Sequence, residues 1–279
     1  MVTVVPNAGL GAEVRDIDLR QRIDGPELLA LLAEHKLLCF PDQPLNIDDQ
    51  EAFTRQLGAF GEDPFIEPMA GHPHVLELRR EPDEKAPNFG AGWHSDWSFM
   101  AWPPLATLLH AKVVPPVGGD TLFCDCAAVY DSFSPAFRAL IDGLTAIHSA
   151  GLPYGRDGVY ARETEKRSLV IKPGEAAEAL QAHPLVRVNV ETGRRSVFAS
   201  PVYTVGIDGM TMDEGYAILM FLFKRMEEAR FIHRHRWRTN MLLMWDNSQL
   251  NHFADGGYDG HLRVMHRTTL AGGPVVGAS

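Results

Sequence analysis

Short apolar runs, too brief for helices, recur along this chain and limit what it can fold into. They are Leu37 to Phe40, Val75 to Leu78, Ala106 to Val114, Thr121 to Cys124, Val186 to Val190, Ser196 to Ala199, Met241 to Trp245 and Arg263 to Leu270, each bounded by Gly, Pro, Asn or Asp. Runs of that length between turn formers read as β-strands. Glu191-Thr192-Gly193-Arg194, between two of them, reads as a hairpin turn. Helical periodicity is confined to Asp48 to Leu57, Ser134 to Leu144 and Thr211 to Ala229. Asp48 with Glu51 three residues on, and Ser134 followed by Pro135, are helix-start signals. The expectation is a mainly β fold with flanking helices, built on a double-stranded β-helix (jelly-roll) core. Neither repeats nor low-complexity segments are visible, so residues 1–279 are expected to form a single domain. The segment 155–181 mixes charge with Gly and Pro and is expected to lie over the barrel opening as a loop or lid.

Composition narrows the function classes. Lys and Arg total 26 against 36 Asp and Glu, a net charge of -10, which lacks the basic footprint of a nucleic-acid binder. No stretch of about 18 uncharged apolar residues occurs and the first residues do not read as a signal peptide, so no membrane partner is expected and a cytoplasmic location is. The three cysteines, Cys39, Cys124 and Cys126, are too few and unevenly placed for a disulfide framework or a structural zinc site.

Trp93-His94-Ser95-Asp96 sets an imidazole and a carboxylate two residues apart. On a strand both would leave one face, about 7 Å apart at the root, within reach of one metal. Alone, such a pair is more often a capped turn. A third imidazole, His252, follows the Met241 to Trp245 run, and beyond it come Arg263 and Arg267 on one face of an apolar strand. Inward cations need anionic partners. Two histidines and a carboxylate on one side of a divalent metal is the donor set of non-heme Fe(II) oxygenases. Iron with one carboxylate keeps a charge near +1, which suits a dianionic co-substrate such as 2-oxoglutarate. Arg263 offers its planar fork to the distant carboxylate, and a wall hydroxyl such as Thr121 could add a hydrogen bond.

The blocks Trp93-His94-Ser95-Asp96, Gly118-Gly119-Asp120-Thr121-Leu122, Trp245-Asp246-Asn247 followed by His252, and Arg263-Val264-Met265-His266-Arg267 resemble the taurine dioxygenase and aryloxyalkanoate dioxygenase family of Fe(II)/2-oxoglutarate enzymes. Leu10-Gly11-Ala12-Glu13 extends the resemblance over nearly the whole length. It implies that His94, Asp96 and His252 bind iron, that Thr121 and Arg263 hold 2-oxoglutarate, and that Arg267 holds the substrate's anionic group. It also implies hydroxylation of a small organic anion (carboxylate, sulfonate or sulfate ester) with O2, releasing succinate and CO2. Asp96 favours hydroxylation over halogenation, because related halogenases have a small residue there. Taurine-using members carry asparagine four residues before the first iron histidine, where this chain has Gly90. The substrate is therefore expected to have a larger apolar body than taurine. Trp97 is assigned to its binding, with Phe99, Met100 and Trp102 as further wall candidates and His72 and His74 behind them. A homo-oligomer, dimer or tetramer, is expected. Two rival readings remain, a zinc-dependent hydrolase on the same triad and a non-catalytic jelly-roll binding protein. The first leaves Arg263 and Thr121 without a role, and the second needs no metal.

Overall fold

The computed structural model describes residues 2–278. Its elements run β1 (Thr3–Pro6), β2 (Ala12–Arg15), α1 (Gly25–His35), β3 (Leu37–Phe40), α2 (Ile47–Leu57), β4 (Leu76–Arg80), β5 (Ala106–Val113) and β6 (Thr121–Asp125). Then come α3 (Cys126–Asp131), α4 (Pro135–Asp142), β7 (Thr145–His148), α5 (Gly151–Tyr154), β8 (Gln181–Pro184), β9 (Val186–Val188), β10 (Arg195–Val197) and β11 (Thr204–Ile207). The last are α6 (Met212–Met226), β12 (Ile232–His235), β13 (Leu242–Asp246), β14 (Leu250–Ala254) and β15 (Arg263–Leu270). The protein is mainly β with a few helices. Every apolar run read from the sequence falls on a strand, with ends shifted by one or two residues, and β9 and β10 pair across the expected hairpin turn.

A seven-stranded sheet, in the order β1-β2-β3-β13-β5-β15-β4, faces a three-stranded sheet, β12-β6-β14. Phe123 and Leu250 of the smaller sheet pack against Leu109, Leu243, Trp245 and Met265 of the larger one. Alternation along β15 then sorts its side chains. Leu270 joins the core beneath α1 and α2, and Thr268 meets Thr54 of α2 at 2.9 Å between hydroxyls. The opposite face carries Arg263, Met265 and Arg267 into the space between the sheets, and all of β15 is buried. Because β15 is buried on both faces, each of its arginines must find its partner inside the protein.

Two expectations change in detail. Helix α2 starts at Ile47 behind an Asn46 cap whose partner is Asp49, not at Asp48 with Glu51; Glu51 is buried and pairs with Arg55 and His72. Helix α1, capped by Asp24 and opened by Pro26, went unread although its signals match those of α4. Helix α6 is capped by Thr211 with Glu214.

Candidate active site

His94 does not lie on a long strand. It forms a single two-way bridge with His252 of β14, N–H to carbonyl at 3.1 and 2.7 Å, after which the chain turns at Asp96 and Trp97 takes a left-handed φ of 45°. The turn swings the carboxylate back toward the imidazoles. His94 Nε2 lies 3.6 Å and His252 Nε2 3.8 Å from Asp96 Oδ1, the ring centroids are 4.2 Å apart, and all three side chains are buried. The donor atoms fall within 4.8 Å of one another, compact enough for one metal ion. His94 Nδ1 donates to the Gly92 carbonyl at 2.7 Å, which leaves the Nε2 lone pair facing Asp96. Burial, with His94 nearby, lowers the His252 pKa to about 3, so its ring is neutral and able to ligate. Burial works against the Asp96 charge, but Arg267 and the two imidazoles outweigh it and hold the carboxyl well below its usual range. Two imidazoles beside a fixed carboxylate fit a dication such as Fe(II).

The second oxygen of Asp96 is tied from behind. Thr107 Oγ1 donates to Oδ2 at 2.5 Å, Asn247 Nδ2 donates to that hydroxyl at 3.0 Å, and Trp245 Nε1 donates to Asn247 Oδ1 at 3.1 Å. Thr107 and Asn247 are buried on β5 and just after β13. Asn247 belongs to the Trp245-Asp246-Asn247 block, whereas no sequence pattern marks Thr107.

Two lobes open beside His94 and share Asn88, Phe89 and Gly90. The first is lined by Thr121, Leu109, Trp245, His252, Arg263 and Arg267. Arg263, 8% exposed, donates only to the Gly119 carbonyl at 3.3 Å and faces the Tyr258 ring at 5.8 Å; among the described residues no carboxylate pairs with it. Burial lowers its pKa for want of a partner. Gly119 sits at φ +72°, and a Cβ there would stand 3.3 Å from Arg263 Nε, so glycine clears the guanidinium's path. The Thr121 hydroxyl accepts from Trp237 Nε1 at 3.0 Å and keeps its own proton to donate. The second lobe is aromatic and aliphatic, with Leu152, Tyr154, Val159, Tyr160, Val202 and Tyr203. Segment 155–181 supplies Val159, Tyr160 and Glu163 to this lobe, and Arg167 and Leu169 to the first.

Arg267, expected to hold the substrate's anionic group, already has carboxylate partners. It is ion-paired with Asp63, contacts Asp96 Oδ1 at 3.4 Å, and lies 5.1 Å over the Trp97 ring. Asp63 comes from the loop after α2, a region without apolar periodicity, and sequence spacing offers no sign of it. Trp97 is 1% exposed and borders neither lobe; its Nε1 donates to Asp63 at 2.6 Å. It is a backing for Arg267 rather than a substrate wall, because the left-handed turn aims it away from the cavity. His72 sits by Glu51 and His74 stacks on Phe60, and neither borders the lobes.

Known proteins resemble this chain in sequence and in fold over nearly its whole length. Residues 3–269 match the family model described as taurine catabolism dioxygenase TauD, TfdA family. The chain is 31% identical over 266 residues to an alpha-ketoglutarate-dependent 2,4-dichlorophenoxyacetate dioxygenase of Cupriavidus pinatubonensis, covering 86% of this chain and 87% of that one. It is 30% identical to an alpha-ketoglutarate-dependent sulfate ester dioxygenase of Pseudomonas putida, with 98% and 91% covered. A taurine dioxygenase structure from Burkholderia xenovorans superposes with a TM-score of 0.81 at 29% identity, over 99% of this chain and 93% of that one. The structure of AAD-2 with Mn(II) and N-oxalylglycine gives 0.80 at 26%, over 99% and 100%. Sequence match, fold match and a buried His-Asp-His cluster coincide over one continuous length, and the chain therefore belongs to the TauD/TfdA dioxygenase family.

Proposed function

We propose that this chain is an Fe(II)- and 2-oxoglutarate-dependent dioxygenase that hydroxylates a small organic anion with an apolar or aromatic body, on a jelly-roll core. The observation that carries the reading is the pairing of a buried His-Asp-His cluster with a lobe in which, among the described residues, Arg263 is the one buried cation without a carboxylate partner. His94, Asp96 and His252 would hold the iron, which when bound supplies the centre for O2 activation and oxidative decarboxylation of 2-oxoglutarate to succinate and CO2. Arg263 would take the distal carboxylate of 2-oxoglutarate in its planar fork, and Thr121 would donate the adjacent hydrogen bond. A dicarboxylate brings the charge that this buried arginine lacks, whereas a zinc hydrolase would leave it unmatched.

Tyr154, Tyr203, Val159 and Val202 exclude water from the second lobe and hold the apolar body of the substrate beside His94. At the junction of the lobes Gly90 has φ +78° and presents no polar side chain, so a taurine-type contact is missing there. Segment 155–181 would serve as the lid of a single-domain enzyme. We read the exposed apolar face of α6, with Met212, Tyr216 and Met220, as the surface on which copies assemble into a dimer or tetramer. The experiment is O2 uptake and succinate release with Fe(II) and 2-oxoglutarate over aryloxyalkanoates, alkyl sulfates, sulfonates and amino acids. Hydrolysis without O2 uptake would replace this reading with the zinc hydrolase.

A further inference from the structure

Five arginines border the first lobe: Arg79 and Arg80 pair with Glu81 and the exposed Asp259, and the partners of Arg167, Arg263 and Arg267 tell those three apart. Arg263 has no carboxylate among the described residues and is left for the co-substrate. Arg267 is already answered by Asp63 and Asp96. With a metal dication, Arg263 and Arg267 on one side, and Asp96, Asp63 and a dianionic co-substrate on the other, the metal end of the first lobe is neutral. A neutral buried site offers no cation to an incoming anion unless a resident carboxylate steps aside.

Glu84 also borders the first lobe, but it accepts from Ser168 and among the described residues forms no ion pair with an arginine. Two carboxylates remain, and the structure distinguishes them. Asp63 is held by both Arg267 and Trp97 Nε1 and borders neither lobe. Glu163 borders the substrate lobe and has Arg167 as its ion-pair partner, Nε to Oε2 at 2.8 Å and Nη2 to Oε1 at 2.7 Å. This is the two-pronged geometry by which a guanidinium grips any carboxylate or sulfate. Glu163 sits in a stretch with neither helix nor strand, so its displacement breaks no backbone ladder. Arg167 stays in place without it. Its Nη2 donates to the Pro87 carbonyl at 2.7 Å, and its guanidinium lies 5.3 Å over the Tyr160 ring.

Resting on the dioxygenase reading above, we propose that Arg167, not Arg267, receives the anionic group of the substrate, and that Glu163 is the internal carboxylate it displaces. The anion then lies under segment 155–181 with its body among Tyr154, Tyr160 and Val202. Glu163, once released, turns toward solvent.

The test uses the full-length enzyme with Fe(II) and 2-oxoglutarate under anaerobic conditions, and calorimetric titration of three acids: 2,4-dichlorophenoxyacetate, 2-phenoxypropionate and hexyl sulfate. Each is compared with a neutral partner, the two amides and hexanol. Arg167→Gln is expected to weaken the acid that binds wild type best by at least about tenfold while its neutral partner changes little. Glu163→Gln should tighten the same acid several-fold, because the internal competitor is gone, and Asp63→Asn should leave the acid-to-neutral ratio unchanged. Unaltered acid affinity in Arg167→Gln, tightening by Asp63→Asn in place of Glu163→Gln, or a wild type that binds none of the three acids overturns the proposal. The dioxygenase reading fails separately, through absence of 2-oxoglutarate binding and of 2-oxoglutarate-dependent O2 uptake in wild type.

Discussion

Thr107→Val removes one hydroxyl and almost no volume, and it tests how Asp96 is held. The hydroxyl donates to Asp96 Oδ2 at 2.5 Å and accepts from Asn247 Nδ2 at 3.0 Å, in a place with no solvent access. A hydrogen bond to a charged group contributes about 1.5 to 3 kcal/mol, and leaving a buried amide donor unmatched costs about 1 to 3 more. The metal-free variant should therefore lose roughly 2.5 to 6 kcal/mol in urea unfolding. Metal binding should suffer as well, since Oδ2 is then free to rotate toward the imidazoles. Loss of a group that orients a ligand typically lowers metal affinity about 10- to 100-fold. Chelator competition for Fe(II) measures this directly. Thr107→Ser keeps the hydroxyl but loses a buried methyl, a cost of about 1 kcal/mol in stability, and should recover most of the metal affinity. If valine binds Fe(II) within about twofold of wild type, or if serine fails as badly as valine, Thr107 only fills space and the positioning argument is wrong.

Replacing His94, Asp96 or His252 with alanine should abolish turnover, and near-native activity in any of them at saturating Fe(II) would reject that residue as a ligand. Arg263→Gln should raise the 2-oxoglutarate Michaelis constant strongly, and Thr121→Val should raise it by the equivalent of about 1.5 to 3 kcal/mol; an effect confined to the primary substrate would refute both roles. Stability should fall in mild acid through His110. Burial pushes its pKa down to about 4, and its Nε2 donates to the Gln43 carbonyl at 2.8 Å. Its value in the unfolded chain is near 6.5, so the unfolded state takes up the proton first. Stability is then full above about pH 6.5 and is lost as pH falls toward 4. Calorimetric unfolding between pH 4 and 8 should show this limb flattened in His110→Gln, and an unchanged slope would assign the acid sensitivity elsewhere.

Much of the architecture is legible in local pattern. Short apolar runs between turn formers mark the central strands β3, β5, β6 and β13, because strands covered on both sides are largely apolar. A strand that goes unread, β8 with Gln181 to Pro184, is short and polar and takes its conformation from a neighbour. The residues of the candidate site are legible for a related reason. His94, Asp96, His252, Arg263 and Arg267 are chemically costly residues beside apolar runs, and the period of two places both arginines on one face of β15.

Their partners are another matter. Asp63 beside Arg267, Thr107 behind Asp96, and Glu163 across from Arg167 come from a loop, a different strand and an irregular segment. Ordinary residue types in ordinary positions give no local signal. Sequence determined which charges enter the site, since burying an arginine or an aspartate between sheets needs a reason that pattern can register. Only the tertiary structure decided which of those charges are already answered, because pairing depends on distances of 3 to 4 Å between segments far apart in the chain. That is why Arg263 and Arg267, four residues apart on one strand, end with different roles: one faces a carbonyl and a tyrosine ring, the other a carboxylate.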